Sequence, residues 1–190
     1  MLDDQRKEAI QIRDQIQNRK EKQKAAAKSL LPFLHPDDRI AVYLPIGSEM
    51  NLFKILKEEY GFKHLLAPKM MPHRQMIFAW AENLKENKLG ILEPEDSEAQ
   101  TPDVIITPLL KFTKKRNRYY RMGYGGGYYD RYLKNFKGKV IAAAFDEQEQ
   151  DFEVQPWDQP IDVIVTPQRV LRSVLTVEAD SETDRIPEKD

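Results

Sequence analysis

Apolar residues in this chain fall into short runs closed by proline, and the runs alternate with stretches at helical spacing. Arg39-Ile-Ala-Val-Tyr-Leu44 lies between Asp38 and Pro45 and reads as a buried strand. Leu52 to Tyr60 follows with Leu52, Ile55, Leu56 and Glu59 spaced as on a helix, and Gly61 suits its C-terminal end. His64-Leu-Leu-Ala67 predicts the next strand, closed by Pro68. Strand, helix and strand in so few residues mark a βαβ unit. Gln75 to Trp80 predicts a further strand, a candidate for antiparallel pairing, and Asn83 to Leu92 an irregular segment. Val104-Ile-Ile106, Lys139 to Phe145 and Ile161 to Val165 complete the strands, with a helix over Tyr128 to Phe136 ended by Gly138.

Residues 3–30 lack Gly and Pro and are rich in Gln, Lys, Glu and Ala, which predicts one long surface helix with a thin apolar stripe at Ile10, Ile12 and Ile16. The order of elements predicts an α/β fold: a single three-layer domain with a mostly parallel central sheet and helices on both faces. Its expected extent is residues 1–178. Residues 179–190 are expected to be an acidic disordered tail, because six acids and almost nothing apolar occupy the last thirteen positions. Ligands of such sheets bind outside the carboxyl ends of the strands, where Glu49 is expected to sit.

Composition narrows the function. With 30 basic and 31 acidic residues there is no global field for nucleic acid. The absence of cysteine excludes a disulfide scaffold and a thiolate metal site, and suits a cytoplasmic location. The acidic start without an apolar core predicts no signal peptide, and no run is long enough to span a membrane. Residues 111–121 carry six basic residues and no acid, and are expected to be a solvated loop.

One stretch concentrates the candidate chemistry. Four of the eight glycines fall within Gly123-Tyr-Gly-Gly-Gly127, preceded by Arg121 and followed by Asp130. Backbone amides in such a loop can converge on an anion, and an arginine beside them suits a bidentate phosphate contact. It is not a Walker A loop, since no Gly-Lys-Ser/Thr occurs, nor a dinucleotide fingerprint, since Tyr128 holds the third glycine position. A phosphate site with a metal carboxylate is the expectation. Alone, Asp130 could be a helix-end charge and Glu49 a plain loop carboxylate. Tyr124 is a candidate for stacking on a flat ligand, and Met70-Met71 for core or cleft lining.

Arg121-x-Gly-Tyr-Gly-Gly-Gly-Tyr-Tyr-Asp-Arg131 closely resembles the signature of the 5-formyltetrahydrofolate cyclo-ligase (methenyltetrahydrofolate synthetase) family. Ile40-Ala-x-Tyr-Leu-Pro45 with Glu49, Met76-x-Phe78, Gly90-Ile-Leu-Glu-Pro94, Asp103 to Pro108, and Asp158 with Ile161 to Thr166 resemble its other segments, in the family's order, over roughly residues 1–167. The family's usual lysine before the Leu-Arg pair of its first helix is absent; Leu2 or Asp3 stands there and Arg6 follows Gln5. Met50-Asn-Leu replaces the common Val-Asp-Thr after Glu49.

The resemblance implies an ATP- and Mg²⁺-dependent enzyme that closes 5-formyltetrahydrofolate to 5,10-methenyltetrahydrofolate through phosphorylation of the formyl oxygen. It implies that Arg121, Met122, Gly123, Tyr124, Gly125, Gly126, Gly127, Tyr128 and Tyr129 hold ATP, with Arg6 at the start of the first helix folding over it. Arg121 would be the catalytic group. Asp130 would ligate the metal, with Asp162 or Asp158 as the second acid, and Glu49 would contact the pterin. The expected partner is the small-molecule folate, with no nucleic acid or membrane, in a monomer or weak dimer. Two other readings stay open: a non-catalytic nucleotide- or folate-binding protein of the same fold, and an RNA-associated protein using residues 111–121.

Overall fold

A computed structural model of the chain describes residues 2–174. The acidic segment 179–190 lies outside the described residues. Helix α1 (Leu2–Asp14) and helix α2 (Arg19–Leu30) precede strand β1 (Ile40–Val42). The expected single helix is therefore broken. Asn18 takes a left-handed conformation with φ 53°, which asparagine tolerates better than most residues. The break turns α2 onto the sheet and leaves α1 at the cleft.

Helix α3 opens at Leu52–Lys54 and continues as a π-helical turn over Ile55–Glu59. The Asn51 side chain caps it by accepting the Lys54 N–H at 3.1 Å. Strand β2 (Leu65–Met71) runs through Pro68 instead of stopping there. Its pairing with β1 covers Leu65 and Leu66 only, so beyond that point no neighbour on that side asks for the missing N–H. Strand β3 (Gln75–Trp80) pairs antiparallel with β2 along its whole length.

The segment expected to be irregular holds a hairpin, β4 (Leu84–Glu86) and β5 (Leu92–Pro94). Asn87 closes its turn, its side chain accepting the N–H groups of Leu89 and Ile91. After β6 (Val104–Thr107), the basic stretch forms a second hairpin, β7 (Lys111–Lys115) and β8 (Arg118–Met122), rather than a solvated loop. Lys111, Thr113 and Arg121 are buried, while the tip residues Lys114 to Arg118 are exposed. Helix α4 (Tyr128–Leu133), strand β9 (Lys139–Ala143), strand β10 (Val163–Val165) and a further strand β11 (Val170–Arg172) complete the fold.

The main sheet has the order β11-β10-β9-β6-β1-β2-β3. Its five inner strands are parallel, and β3 and β11 close the two edges in antiparallel register. Alternation along β1 shows the layers. Ile40 and Val42 pack with Ala26, Ala27 and Leu30 of α2 and with Leu52 and Leu56 of α3. Ala41 faces the other way, toward Phe78 and Leu133, with Tyr129, Tyr132 and Phe136 packed against that cluster. Helices thus cover both faces, and both sets of side chains leave water, the main favourable contribution to such a core.

Gly138 locks the entry to β9. A Cβ there would lie 2.4 Å from the Asp103 carbonyl oxygen and 2.4 Å from the Phe136 ring. Gly138→Ala should therefore destabilise the fold by about 1–3 kcal/mol through overpacking, read as a lower urea midpoint with an unchanged slope. A midpoint equal to wild type would show that this approach has room to relax.

Candidate functional site

A cleft of about 530 Å³ opens at the carboxyl ends of the parallel strands. Its wall is apolar at Pro68, Met70, Met76, Ile91, Leu92 and Trp157. Most of the large apolar side chains exposed among the described residues border it, including Leu2, Ile46, Met70, Leu92, Tyr124 and Trp157. Exposed apolar area gathered at one concave site is the usual form of a small-molecule pocket.

Residues 123–127 join β8 to α4 and form one rim. Gly125 and Gly127 have φ of 98° and 70°, a region that disfavours side chains. The loop is crowded by its own neighbours: a Cβ on Gly125 would meet the Arg6 guanidinium at 3.0 Å, and one on Gly126 the Tyr128 ring at 2.7 Å. Arg6 Nε donates to the Gly123 carbonyl at 3.1 Å, so α1 is pinned to the loop, while Arg6 Nη1 pairs with Asp3 at 2.9 Å. Met122, Gly123, Tyr124, Gly126, Tyr128 and Tyr129 also line the cleft.

Arg121 is 5% exposed. Its guanidinium lies 5.2 Å from the Tyr129 ring centre and its Nη2 is 3.4 Å from Asp130 Oδ1. Its Nε and the Tyr129 hydroxyl are buried without a hydrogen-bond partner. Buried donors of a charged group are rarely left unpaired, and here they stand beside an anion-suited loop. These orphaned atoms, with the loop amides, fit a phosphate chain.

Asp130 Oδ1 also accepts the Gln159 N–H at 3.3 Å. Asp158 also lines the cleft, and its Oδ2 accepts the Gln155 N–H at 2.8 Å. Burial raises the Asp158 carboxyl above its usual range; the Gln155 N–H opposes this, the Asp130 charge adds to it and Arg121 works against it. Asp162 does not reach the cleft. It is exposed at the start of β10, where its Oδ2 accepts the Val140 N–H at 2.8 Å, at the amino ends of the parallel strands. A carboxylate in an apolar run there has a backbone donor as partner. Among the described residues no three His, Cys, Asp or Glu side chains converge as a metal cage. Asp130 and Asp158 could suit Mg²⁺, which takes one or two protein carboxylates plus phosphate oxygens and water.

Glu49 also lines the cleft, buried at 9% exposure in the loop after β1. Its Oε2 accepts the Ile46 N–H at 2.8 Å and its Oε1 accepts the Tyr124 hydroxyl at 3.0 Å. Desolvation raises the Glu49 carboxyl; the Ile46 N–H, the Arg13 charge and the Tyr124 hydroxyl counter it in part. Burial, then the charge of Glu49, pushes the Tyr124 phenol up to about 12, so it is a neutral donor at ordinary pH. Arg13, at 2% exposure, donates from Nη2 to the Tyr124 hydroxyl and from Nε to Ser48 Oγ, each at 2.9 Å. Neither Arg13 nor Ser48 was legible in advance. An arginine in a charged helical stretch carries no sign of burial, and the only local signal was the alignment of Arg6 and Arg13 two helical turns apart.

Against known proteins, the model of the 5-formyltetrahydrofolate cyclo-ligase family matches residues 3–167. A 5-formyltetrahydrofolate cyclo-ligase of Mycoplasma pneumoniae is 30% identical over 145 residues, covering 73% of this chain and 80% of that one. The namesake of Haemophilus influenzae is 36% identical over 142 residues, with coverage of 66% and 74%. The NMR structure of 5,10-methenyltetrahydrofolate synthetase from Aquifex aeolicus superposes with a TM-score of 0.74 at 26% identity, over 96% of this chain and 99% of that one. The glycine loop, the cleft at the strand ends and a match of this extent lead to one conclusion: the chain belongs to the 5-formyltetrahydrofolate cyclo-ligase family.

Proposed function

We propose that this chain closes 5-formyltetrahydrofolate to 5,10-methenyltetrahydrofolate at the expense of ATP. The observation that carries the reading is the pairing of two unlike recognition surfaces in one cleft. One is a glycine loop with an orphaned buried arginine nitrogen; the other is an apolar wall ending at a buried carboxylate. The first suits a polyphosphate, the second a flat heterocycle with N–H donors.

The chemistry needs little else. A formamide oxygen is a poor leaving group. Transfer of the γ-phosphoryl group to it turns it into a good one, N10 of the folate bonds to the formyl carbon, and phosphate departs with the oxygen as the N10 proton is released. The nucleophile belongs to the substrate, so no Ser, Cys or His of the chain is required. Phosphoryl transfer is catalysed mainly by positioning and charge stabilisation. Arg121, held by Asp130 and the Tyr129 ring, keeps its free Nε for the phosphate chain. The loop from Met122 to Tyr128 presents amides to the same chain, and Arg6 closes over it. Asp130 and Asp158 would hold Mg²⁺, which supplies charge neutralisation at the phosphates. Glu49 accepts from the pterin edge, with Met70 and Met76 against its ring.

Purified protein with ATP, Mg²⁺ and 5-formyltetrahydrofolate should generate the absorbance of the methenyl product; a flat trace would overturn the reading. Asp130→Ala and Arg121→Met should each lower kcat by about 10²-fold or more while the melting curve stays cooperative. Asp158→Asn should lower kcat by at least about tenfold more than Asp162→Asn, since only the former touches the cleft.

Glu49 gives a pH signature. Its folded carboxyl is raised, mainly by burial, so ionisation is less favourable in the folded than in the unfolded chain. Stability from Glu49 is then fully present below its ordinary range and is lost as pH rises through the raised value. Glu49→Gln is neutral throughout. The stability of wild type relative to this variant, from urea melts, should fall as pH rises above about 4 and then level off. A pH-independent difference would show that Arg13 and Tyr124 fully compensate the burial.

A further inference from the structure

Three distant parts of the chain meet at one guanidinium. Arg13 lies in the last turn of α1, Ser48 and Glu49 in the loop after β1, and Tyr124 in the glycine loop. Arg13 Nε donates to Ser48 Oγ and Nη2 to the Tyr124 hydroxyl, both at 2.9 Å. The Tyr124 hydroxyl in turn donates a hydrogen bond to Glu49 Oε1, at 3.0 Å. Arg13 Nη1 stands 3.7 Å from the same carboxylate oxygen and is buried without a hydrogen-bond partner. The backbone of the pin is itself held: Arg19 Nη1 donates to the Arg13 carbonyl at 2.6 Å, Arg19 Nη2 donates to the Ser48 carbonyl, and Ser48 Oγ donates to Asp14.

This network does what apolar packing does elsewhere. The buried residues of α1 are Ala9 and Arg13, so the helix has little core of its own to dock with. A buried guanidinium is costly unless its donors are matched, and its planar fork matches partners in one geometry only. We propose that Arg13 is a positioning residue for the folate side of the cleft: it fixes the Tyr124 hydroxyl and the Glu49 carboxylate in one arrangement, so that ligand capture at Glu49 requires a docked first helix. This rests on the reading above that Glu49 meets the folate. Arg13 does not itself line the cleft.

The role predicts an unequal effect on the two ligands. Tyr124→Phe keeps the ring and the loop amides and removes only the relay. It should weaken 5-formyltetrahydrofolate binding by about tenfold or more, and binding of a non-hydrolysable ATP analogue by less than about threefold. Arg13→Lys keeps the charge beside Glu49 but cannot span Ser48 and Tyr124 together. It should keep a near-wild-type melting temperature yet show a folate loss like that of Tyr124→Phe. The double variant should lose about as much as the more affected single variant and not the sum of the two, because both break the same relay. Each affinity is read by titrating intrinsic fluorescence at Trp80 and Trp157 with one ligand at a time. Equal weakening of both ligands, additive losses, or wild-type folate affinity in either single variant would overturn the positioning role. These are binding measurements, so they read the role of Arg13 separately from turnover, whose absence would overturn the catalytic reading instead.

Discussion

Charge taken out of water has to be answered, and the cleft is arranged around that requirement. Glu49 and Arg121 are both buried and line the same cleft. Each is answered by a partner from a different part of the chain: Arg13 and Tyr124 for Glu49, Asp130 and the Tyr129 ring for Arg121. Isolated, either charge would be costly to keep out of water. The answers are incomplete by design of the site, since Arg121 Nε and Arg13 Nη1 keep unpaired donors. The strands supply the frame. Five parallel strands end together, and the loops that leave them carry the paired charges to one place.

The sheet was readable because its strands are buried on both sides and so appear as continuous apolar runs. Arg39 to Leu44, Val104 to Ile106 and Lys139 to Phe145 each hold a strand of the main sheet, β1, β6 and β9, the first and last shorter than the apolar run. The short elements were not readable. The β4–β5 hairpin hangs on the hydrogen bonds of Asn87 rather than on apolar alternation, and β11 is a short edge strand with little burial. Pro68 misled because a proline stops a strand only where a neighbour needs its N–H. The basic hairpin misled for a related reason. Its charge hid a half-buried ribbon in which Lys111, Phe112, Thr113, Tyr119 and Arg121 leave water.

The candidate site was legible in proportion to how local it is. The glycine loop is contiguous, and its composition states its backbone requirement outright. Glu49 sits one loop beyond a strand and was placed by position and family likeness. Arg13 could not be found this way, because its meaning lies in Ser48 and Tyr124, 35 and 111 positions away. Asp162 shows the converse case. A carboxylate in an apolar run needs a partner, and one backbone N–H from the neighbouring strand supplies it away from the cleft.

The left-handed turn at Asn18 divides labour between two helices that the sequence writes as one. Residues after it belong to the core: Ala26, Ala27 and Leu30 of α2 are fully buried against the sheet. Residues before it contribute little to the core and much to the cleft, through Arg6 and Arg13. The two segments therefore carry separable burdens. A substitution on the buried face of α2 acts on the core, whereas one at Arg6 or Arg13 of α1 acts on the loops that border the cleft and leaves the packing of the sheet as it is.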